Sequence, residues 1–220
     1  MGWRRPHGPP HPWRVHLAHL RLRNFRNYAL LDADFSAGFH LLLGDNAQGK
    51  TNILEAIYLL ATLRSFRGVG GAQMVQHRHK GYFVGAQIVG PATRDVRMYW
   101  SSSARKLTLG GQPVRRLGDY LGTLRAVVFC TEDLLLVKGT GQARRRFLDL
   151  LLTQTQPGYL ATLQRYSQAL RARNALLRQP RPDETSMDAF TRQLLAAGEA
   201  IRRHRQALCP VLSPDRKSVV

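Results

Sequence analysis

The segment FHLLLGDNAQGKTNILEAIY, residues 39–58, decides the fold class. It opens on Phe39 to Leu43, a mostly apolar run of the length of a buried strand. Gly44-Asp45-Asn46-Ala47-Gln48-Gly49-Lys50-Thr51 follows and matches G-x-x-x-x-G-K-[ST], the Walker A pattern of a phosphate-binding loop. From Lys50 onward, Ile53, Leu54, Ile57, Tyr58, Leu60 and Ala61 recur at helical spacing, so a helix leaves the loop. The spacing has a chemical reason. Gly44 and Gly49 let the backbone wrap phosphate oxygens, and successive N–H groups at a helix start form an anion nest. Lys50 brings a point charge to the β- and γ-phosphates, and the Thr51 hydroxyl is a ligand for Mg²⁺. A chance match in a chain of this length is expected on the order of once in two hundred chains. The plain alternative is a glycine-containing turn between strand and helix. The pattern implies ATP or GTP with Mg²⁺, and leaves open what the nucleotide is for.

Working outward, Val15 to Leu22 and Ala29 to Phe35 read as strands joined by a turn at Asn24-Phe25-Arg26-Asn27. Ser65 to His79 reads as a loop. Tyr82 to Val89 and Val96 to Trp100 are strands, Lys106 to Val114 is a hairpin around Gly110-Gly111, and Arg125 to Phe129 is a further short strand. After Gly141 the period changes. Arg144 to Gln154, Tyr159 to Leu177 and Ser186 to Leu208 are helical patterns, broken by Pro157-Gly158 and Pro180-Arg181-Pro182-Asp183. Tyr159, Leu163, Tyr166, Leu170 and Leu177 form a core stripe rather than a base-stacking platform. The expected organisation is a disordered, proline-rich extension over 1–14, an α/β lobe over 15–141, an all-α lobe over 142–214 and an unassigned tail over 215–220.

The chain has 220 residues, with 33 Lys plus Arg against 14 Asp plus Glu, a net charge of +19. Such an excess points to a polyanionic partner, nucleic acid above all. GC-rich codon usage accounts for Arg over Lys more readily than for the charge excess itself. Arg144-Arg145-Arg146, Arg171 and Arg173 are the candidate DNA-phosphate contacts, against the alternative of a solvated cationic face. No apolar run is long enough to span a membrane. Two distant cysteines, Cys130 and Cys209, exclude a disulfide-stapled scaffold or a zinc finger and fit a reducing cytosol. The eight histidines include no HExxH, and no catalytic triad can be argued.

Several blocks together resemble the RecF family of SMC-like ABC ATPases, from Val15 to about Pro214. Leu20 to Tyr28 (LRLRNFRNY) is similar to that family's opening strand. Gly44 to Tyr58 resembles its phosphate loop, including Asn46, Asn52 and Glu55, which ordinary phosphate loops do not share. Arg64-Ser65-Phe66-Arg67, Val127 to Asp149 and Tyr159 to Leu177 are similar to later blocks in the same order. The resemblance implies a P-loop ABC-type ATPase head, incomplete here, followed by an all-α segment. It further implies an ATP-dependent homodimer that binds gapped, single-stranded or junction DNA in recombinational repair, replication and the SOS response, with RecO and RecR as partners. By residue, it implies phosphate binding at Gly44 to Thr51, base and sugar contacts at Arg26 and Asn27, and a basic position near the nucleotide at Arg67. Thr131 and Gly141 stand where the family usually has proline.

An ABC-type ATPase also needs a Walker B strand and a signature motif, which the resemblance puts beyond residue 220. Val127 to Asp133 (VVFCTED) imitates a Walker B, but Cys130 and Thr131 separate the apolar run from the acids. A helix-start role is expected for Glu132 and Asp133. The sequence therefore reads as the N-terminal part of a longer protein, able to cradle ATP, poor at hydrolysing it, and marginal in stability through exposed sheet edges. Whether it is an enzyme stays open. The rival readings are a P-loop kinase or NTPase acting on a metabolite, and a non-hydrolysing DNA-binding fragment.

Overall fold

Alternation with a period of two builds the first part of the structure. In β1 (His16–Phe25), Leu20 and Leu22 face one way and Arg21 and Arg23 the other. β1 pairs antiparallel with β2 (Tyr28–Asp34) on one edge and β3 (Gly81–Val89) on the other. β4 (Arg94–Ser101), β5 (Arg105–Leu109) and β6 (Gln112–Pro113) extend the sheet in the order β2-β1-β3-β4-β5-β6. The register stacks Leu31, Leu22, Val84, Met98 and Leu107 in one row across five strands. Ala33, Leu20, Ala86, Val96 and Leu109 form the next. Helix α1 (Lys50–Thr62) lays Ala56, Leu59 and Leu60 against these rows, completing the core. Each fully buried leucine there contributes on the order of 2 kcal/mol. The hairpin between β5 and β6 turns at Gly110-Gly111, both with positive φ (58° and 79°), as a primed turn requires.

The computed structural model describes residues 15–213, and they fall into two compact units that divide after Val128. The expected extension over 1–14 and the tail over 215–220 lie outside the described residues. The helical elements include a short α2 (Leu117–Tyr120), which no sequence pattern announces, and a tight turn at Gly71–Met74 inside the expected loop.

Two expected strands do not form. Phe39 to Leu43 and Arg125 to Phe129 pair with no strand among the described residues. A strand exists only as part of a ladder, and without one these runs leave their apolar side chains in solvent. Phe39 is 91% exposed, Leu43 81%, Val127 85% and Phe129 96%. Their apolar character is real, but hydrophobicity alone does not supply a hydrogen-bonding neighbour.

The second unit is all-α. It contains α3 (Leu135–Lys138), α4 (Gly141–Thr155), α5 (Tyr159–Leu176) and α6 (Glu184–Leu212). It begins ahead of the change in pattern at Gly141 because α3 is tied to α4. Arg144 Nη1 donates to the carbonyls of Leu136 and Gly139, at 3.4 and 3.2 Å. Asp183 caps α6, accepting from the Ser186 N–H at 2.9 Å, which holds its carboxyl below the usual range. Leu152, Tyr159 and Ile201 form the buried core, with Tyr166 and Leu163 packed on it. One polar knot joins three helices. Asp149 on α4 accepts from Tyr159 Oη on α5 at 2.5 Å and from Arg205 Nε and Nη2 on α6, both at 2.8 Å. Burial, reinforced by Asp149, pushes the Tyr159 hydroxyl far above its ordinary pKa, so it donates throughout the working pH range.

Asp149→Ala leaves a partly buried guanidinium and a buried phenol without their acceptor. We expect a loss of about 2–3 kcal/mol, below that of a fully buried pair because both charged ends keep some solvent. Tyr159→Phe removes one hydrogen bond and should cost about 1 kcal/mol. Urea unfolding followed by helical circular dichroism checks both; equal losses would refute the knot as a charge-centred device.

Candidate nucleotide-binding site

Helix α1 starts directly from the loop. Its N-cap is Gly49, in the left-handed region at φ 103°, and no side chain caps the first turn or places an acid in it. The first-turn N–H groups and the positive end of the helix dipole therefore face the loop unopposed. Ala47 is also left-handed, at φ 66°, which curls the backbone of Asp45 to Gln48 around that helix end. Lys50 Nζ donates to the carbonyls of Gly44 and Asp45, at 2.6 and 2.7 Å, so the ammonium lies along the loop it belongs to. Asp45, Asn46, Ala47, Gln48 and Thr51 are exposed.

The turn between β1 and β2 holds this loop in place. Asn27 Nδ2 donates to the Gln48 carbonyl at 3.2 Å, and Asn52 Nδ2 on α1 donates to Asn27 Oδ1 at 2.8 Å. A Cβ on Gly49 would lie 2.7 Å from both Asn27 Nδ2 and the Tyr28 hydroxyl. Glycine at 49 is thus required twice, by its backbone angle and by the close approach of the turn. Burial raises the Tyr28 hydroxyl above its usual pKa, keeping it a neutral donor beside the loop.

Glu55, one turn into α1, is fully buried. Arg26 Nη2 and Nε donate to its two oxygens at 2.7 and 2.9 Å, a forked pair. Ser65 Oγ donates to Oε1 at 2.5 Å, and Arg67 Nη1 stands 3.6 Å from Oε2. Arg26 itself is left-handed, at φ 55°. The segment after α1 pins it there: the Gln73 carbonyl accepts from Arg26 Nη1 at 2.9 Å and the Met74 carbonyl from its N–H at 2.8 Å. Gln76 N–H donates back to Asn24 O, and Phe25 bridges to Val75. The expected loop over 65–79 is thus a strap on the hairpin turn.

The site residues expected from the sequence come together in this way. Gly44 to Thr51 form the loop. Asn27 touches it directly, while the guanidinium of Arg26 is engaged by Glu55 and Gln73, and that of Arg67 by Glu55. Gln73 and Gln76 carry no motif that marks them in the sequence, and Glu55 and Ser65 are marked there only through resemblance. A signal for Glu55 exists, since Glu55, Leu59 and Thr62 share one buried helix face and a carboxylate in such a stripe demands partners. Asp133 accepts from the Cys130 N–H at 2.8 Å, the helix-start role expected of it. Among the candidate DNA contacts, Arg144 closes the end of α3 and Arg173 Nε donates to Thr191 Oγ1 at 3.0 Å, whereas Arg145, Arg146 and Arg171 are exposed.

The residues present fit a nucleotide phosphate group. The uncapped helix start, the ammonium of Lys50 bonded only to loop carbonyls and the open space at Gly44 suit an anion. Among the described residues no cluster of three or more His, Cys, Asp or Glu could hold a metal. Among the described residues no helix is long and apolar enough to cross a membrane.

Comparison with known proteins gives a consistent result. An AAA domain family model matches residues 19–98. The DNA replication and repair protein RecF of Synechococcus sp. (strain JA-2-3B'a(2-13)) is 43% identical over 206 residues, covering 91% of this chain and 54% of that protein. RecF of Thermosynechococcus vestitus is 42% identical over 204 residues, covering 90% and 54%. The solved structure of the recombination mediator protein RecF-ATP in the RecFOR pathway superposes with a TM-score of 0.87 at 27% identity, over 92% of this chain and 56% of that one. The RecF-ATPrS structure gives 0.83 at the same identity, over 90% and 56%. The chain spans about half the length of the curated relatives it matches. By sequence and by fold the chain belongs to the RecF family, matching the N-terminal part of its members.

Proposed function

We propose that this chain binds ATP at Gly44 to Thr51 and DNA elsewhere on its basic surface, and that it serves DNA replication and recombinational repair. The observation that carries the reading is the locked loop: a phosphate nest at the start of α1, held by Asn27 and Asn52 against a glycine that admits no side chain. The relatives named above support the cellular role, and the net charge of +19 supports a polyanionic partner. Thr51 supplies a hydroxyl to Mg²⁺, and Lys50 exchanges its carbonyl bonds for phosphate oxygens. Arg145, Arg146 and Arg171 are the proposed phosphate contacts on the helical unit.

In the same proposal ATP joins two heads into a dimer, so that nucleotide controls the hold on DNA. RecO and RecR are the proposed protein partners, in the cytoplasm, in repair of gapped DNA and in the SOS response. Equilibrium titration with a fluorescent ATP analogue, followed by DNA titration with and without ATP, tests it. DNA affinity indifferent to ATP would overturn the switch, and turnover stimulated by a metabolite without DNA binding would favour a kinase instead.

Lys50→Ala removes a charge-assisted contact and should weaken the analogue about ten- to a hundredfold. Gly49→Ala should weaken it as strongly by pushing Asn27 off the loop, with added strain from φ 103°. Arg26→Ala acts on stability. It leaves Glu55 buried with one remote cation and should cost about 3–5 kcal/mol in denaturant unfolding. The double variant Arg26→Ala, Glu55→Ala should recover part of that loss; no recovery would mean that the buried charge is not the cause.

A further inference from the structure

The face of the sheet that turns away from α1 has an order of its own. The register lines up Leu30, Arg23, Phe83, Tyr99 and Lys106 in one row across β2, β1, β3, β4 and β5. The next row runs Asp32, Arg21, Gly85, Arg97 and Thr108, and the third Asp34, His19, Gln87 and Asp95. In these two rows charges cancel. Arg21 pairs with Asp32 at 2.6 Å, Arg97 with Asp95 at 2.5 Å, and His19 bridges Asp32 and Asp34. The first row has no acid. Among the described residues Arg23 and Lys106 make no ion pair, and no second ring stacks on Phe83 or Tyr99.

Glycines of β3 lie beside both rings. A Cβ at Gly85 would lie 2.8 Å from Phe83 Cζ, and one at Gly81 would lie 2.4 Å from the Trp100 carbonyl oxygen and 3.0 Å from the Tyr99 hydroxyl. Both glycines belong to β3, where each weakens the strand by about 0.5–1 kcal/mol. Tyr99 remains 41% exposed, with exposed Arg78 and Lys80 in the loop that leads into β3. Two rings on adjacent strands, flanked by two unneutralised cations, are the elements of a platform for unstacked bases with phosphates on either side. A duplex hides its bases and gains little from such a row.

We infer that the row Arg23–Phe83–Tyr99–Lys106 is a binding surface for single-stranded nucleic acid, with bases on the two rings and phosphates on the two cations. It deepens the DNA-binding reading above and rests on it. The full chain is titrated with labelled oligothymidylate and with a duplex of equal length at several salt concentrations. Tyr99→Ala should weaken oligothymidylate about tenfold and the duplex much less, and Tyr99→Phe should restore the loss. Arg23→Ala with Lys106→Ala should flatten the salt dependence, by about 0.7 in logarithmic slope for each phosphate that is no longer neutralised. Unchanged circular dichroism and unfolding midpoints establish that the variants are folded. Oligothymidylate binding that survives Tyr99→Ala, or that is lost only in Arg145→Ala with Arg146→Ala, overturns this surface and leaves the DNA-binding reading standing. An unaltered chain that binds no DNA overturns both.

Discussion

The first unit depends on one buried charge. Taking a carboxylate out of water costs several kcal/mol even after relaxation, and Glu55 is repaid only by a full set of donors. The forked guanidinium of Arg26 and the Ser65 hydroxyl supply three hydrogen bonds, and Arg67 adds a second positive charge. These groups come from the β1–β2 turn and the segment after α1, so satisfying one side chain fixes three pieces of chain. Arg26 then sits in a left-handed conformation that costs about 1 kcal/mol or more when unsupported. The next residue, Asn27, arrives at the 44–51 loop as a consequence. The loop's geometry is therefore set from beneath, through Glu55, before any ligand contributes.

This arrangement explains what the sequence disclosed and what it withheld. The sheet was legible because period-two alternation is clear in β1 and β4, and Leu20, Leu22, Val84 and Met98 fall on one side. The loop that leads into α1 was legible because Gly44 and Gly49 frame it and helical spacing begins at Lys50. The strap over residues 71–76 was not, since its contacts run through backbone carbonyls that any sequence carries. Arg26 was marked as a nucleotide contact only through the family resemblance; its bond to the buried Glu55 is a property of the fold. Phe39 to Leu43 misled for the opposite reason. Composition gave a strand its side chains, and a ladder partner is a property of the fold.

The basic excess is similarly sorted by structure rather than by sequence. Arg205 is consumed by Asp149, Arg202 and Arg203 by Glu199, Arg21 and Arg97 by strand aspartates. Arg144 and Arg173 serve carbonyls and a hydroxyl. With 33 cations and 14 acids, most of the remainder must stay unneutralised, and the useful question is where they gather. A run such as Arg144-Arg145-Arg146 counts as three in sequence, yet one of the three is engaged by carbonyls in the fold. Arg23 and Lys106, separated by more than eighty positions, become members of one row through sheet register alone.

The same strands thus carry two patterns that do not compete. Inward positions are apolar because α1 covers them; outward positions escape that demand and can be chosen for chemistry. The choice is visible in β3, the central strand between β1 and β4, where stability would favour branched residues on both faces. Its outward positions instead read Gly81, Phe83, Gly85 and Gln87. Two glycines in a central strand are a standing cost; Gly85 leaves the space that the Phe83 ring occupies, and Gly81 admits the Trp100 carbonyl as well as the Tyr99 hydroxyl. On a face where every acid lies in the two neighbouring rows, that space is also where the positive potential is least cancelled. Register, glycine placement and charge segregation each arise from different residues, and they converge on the same row of the sheet.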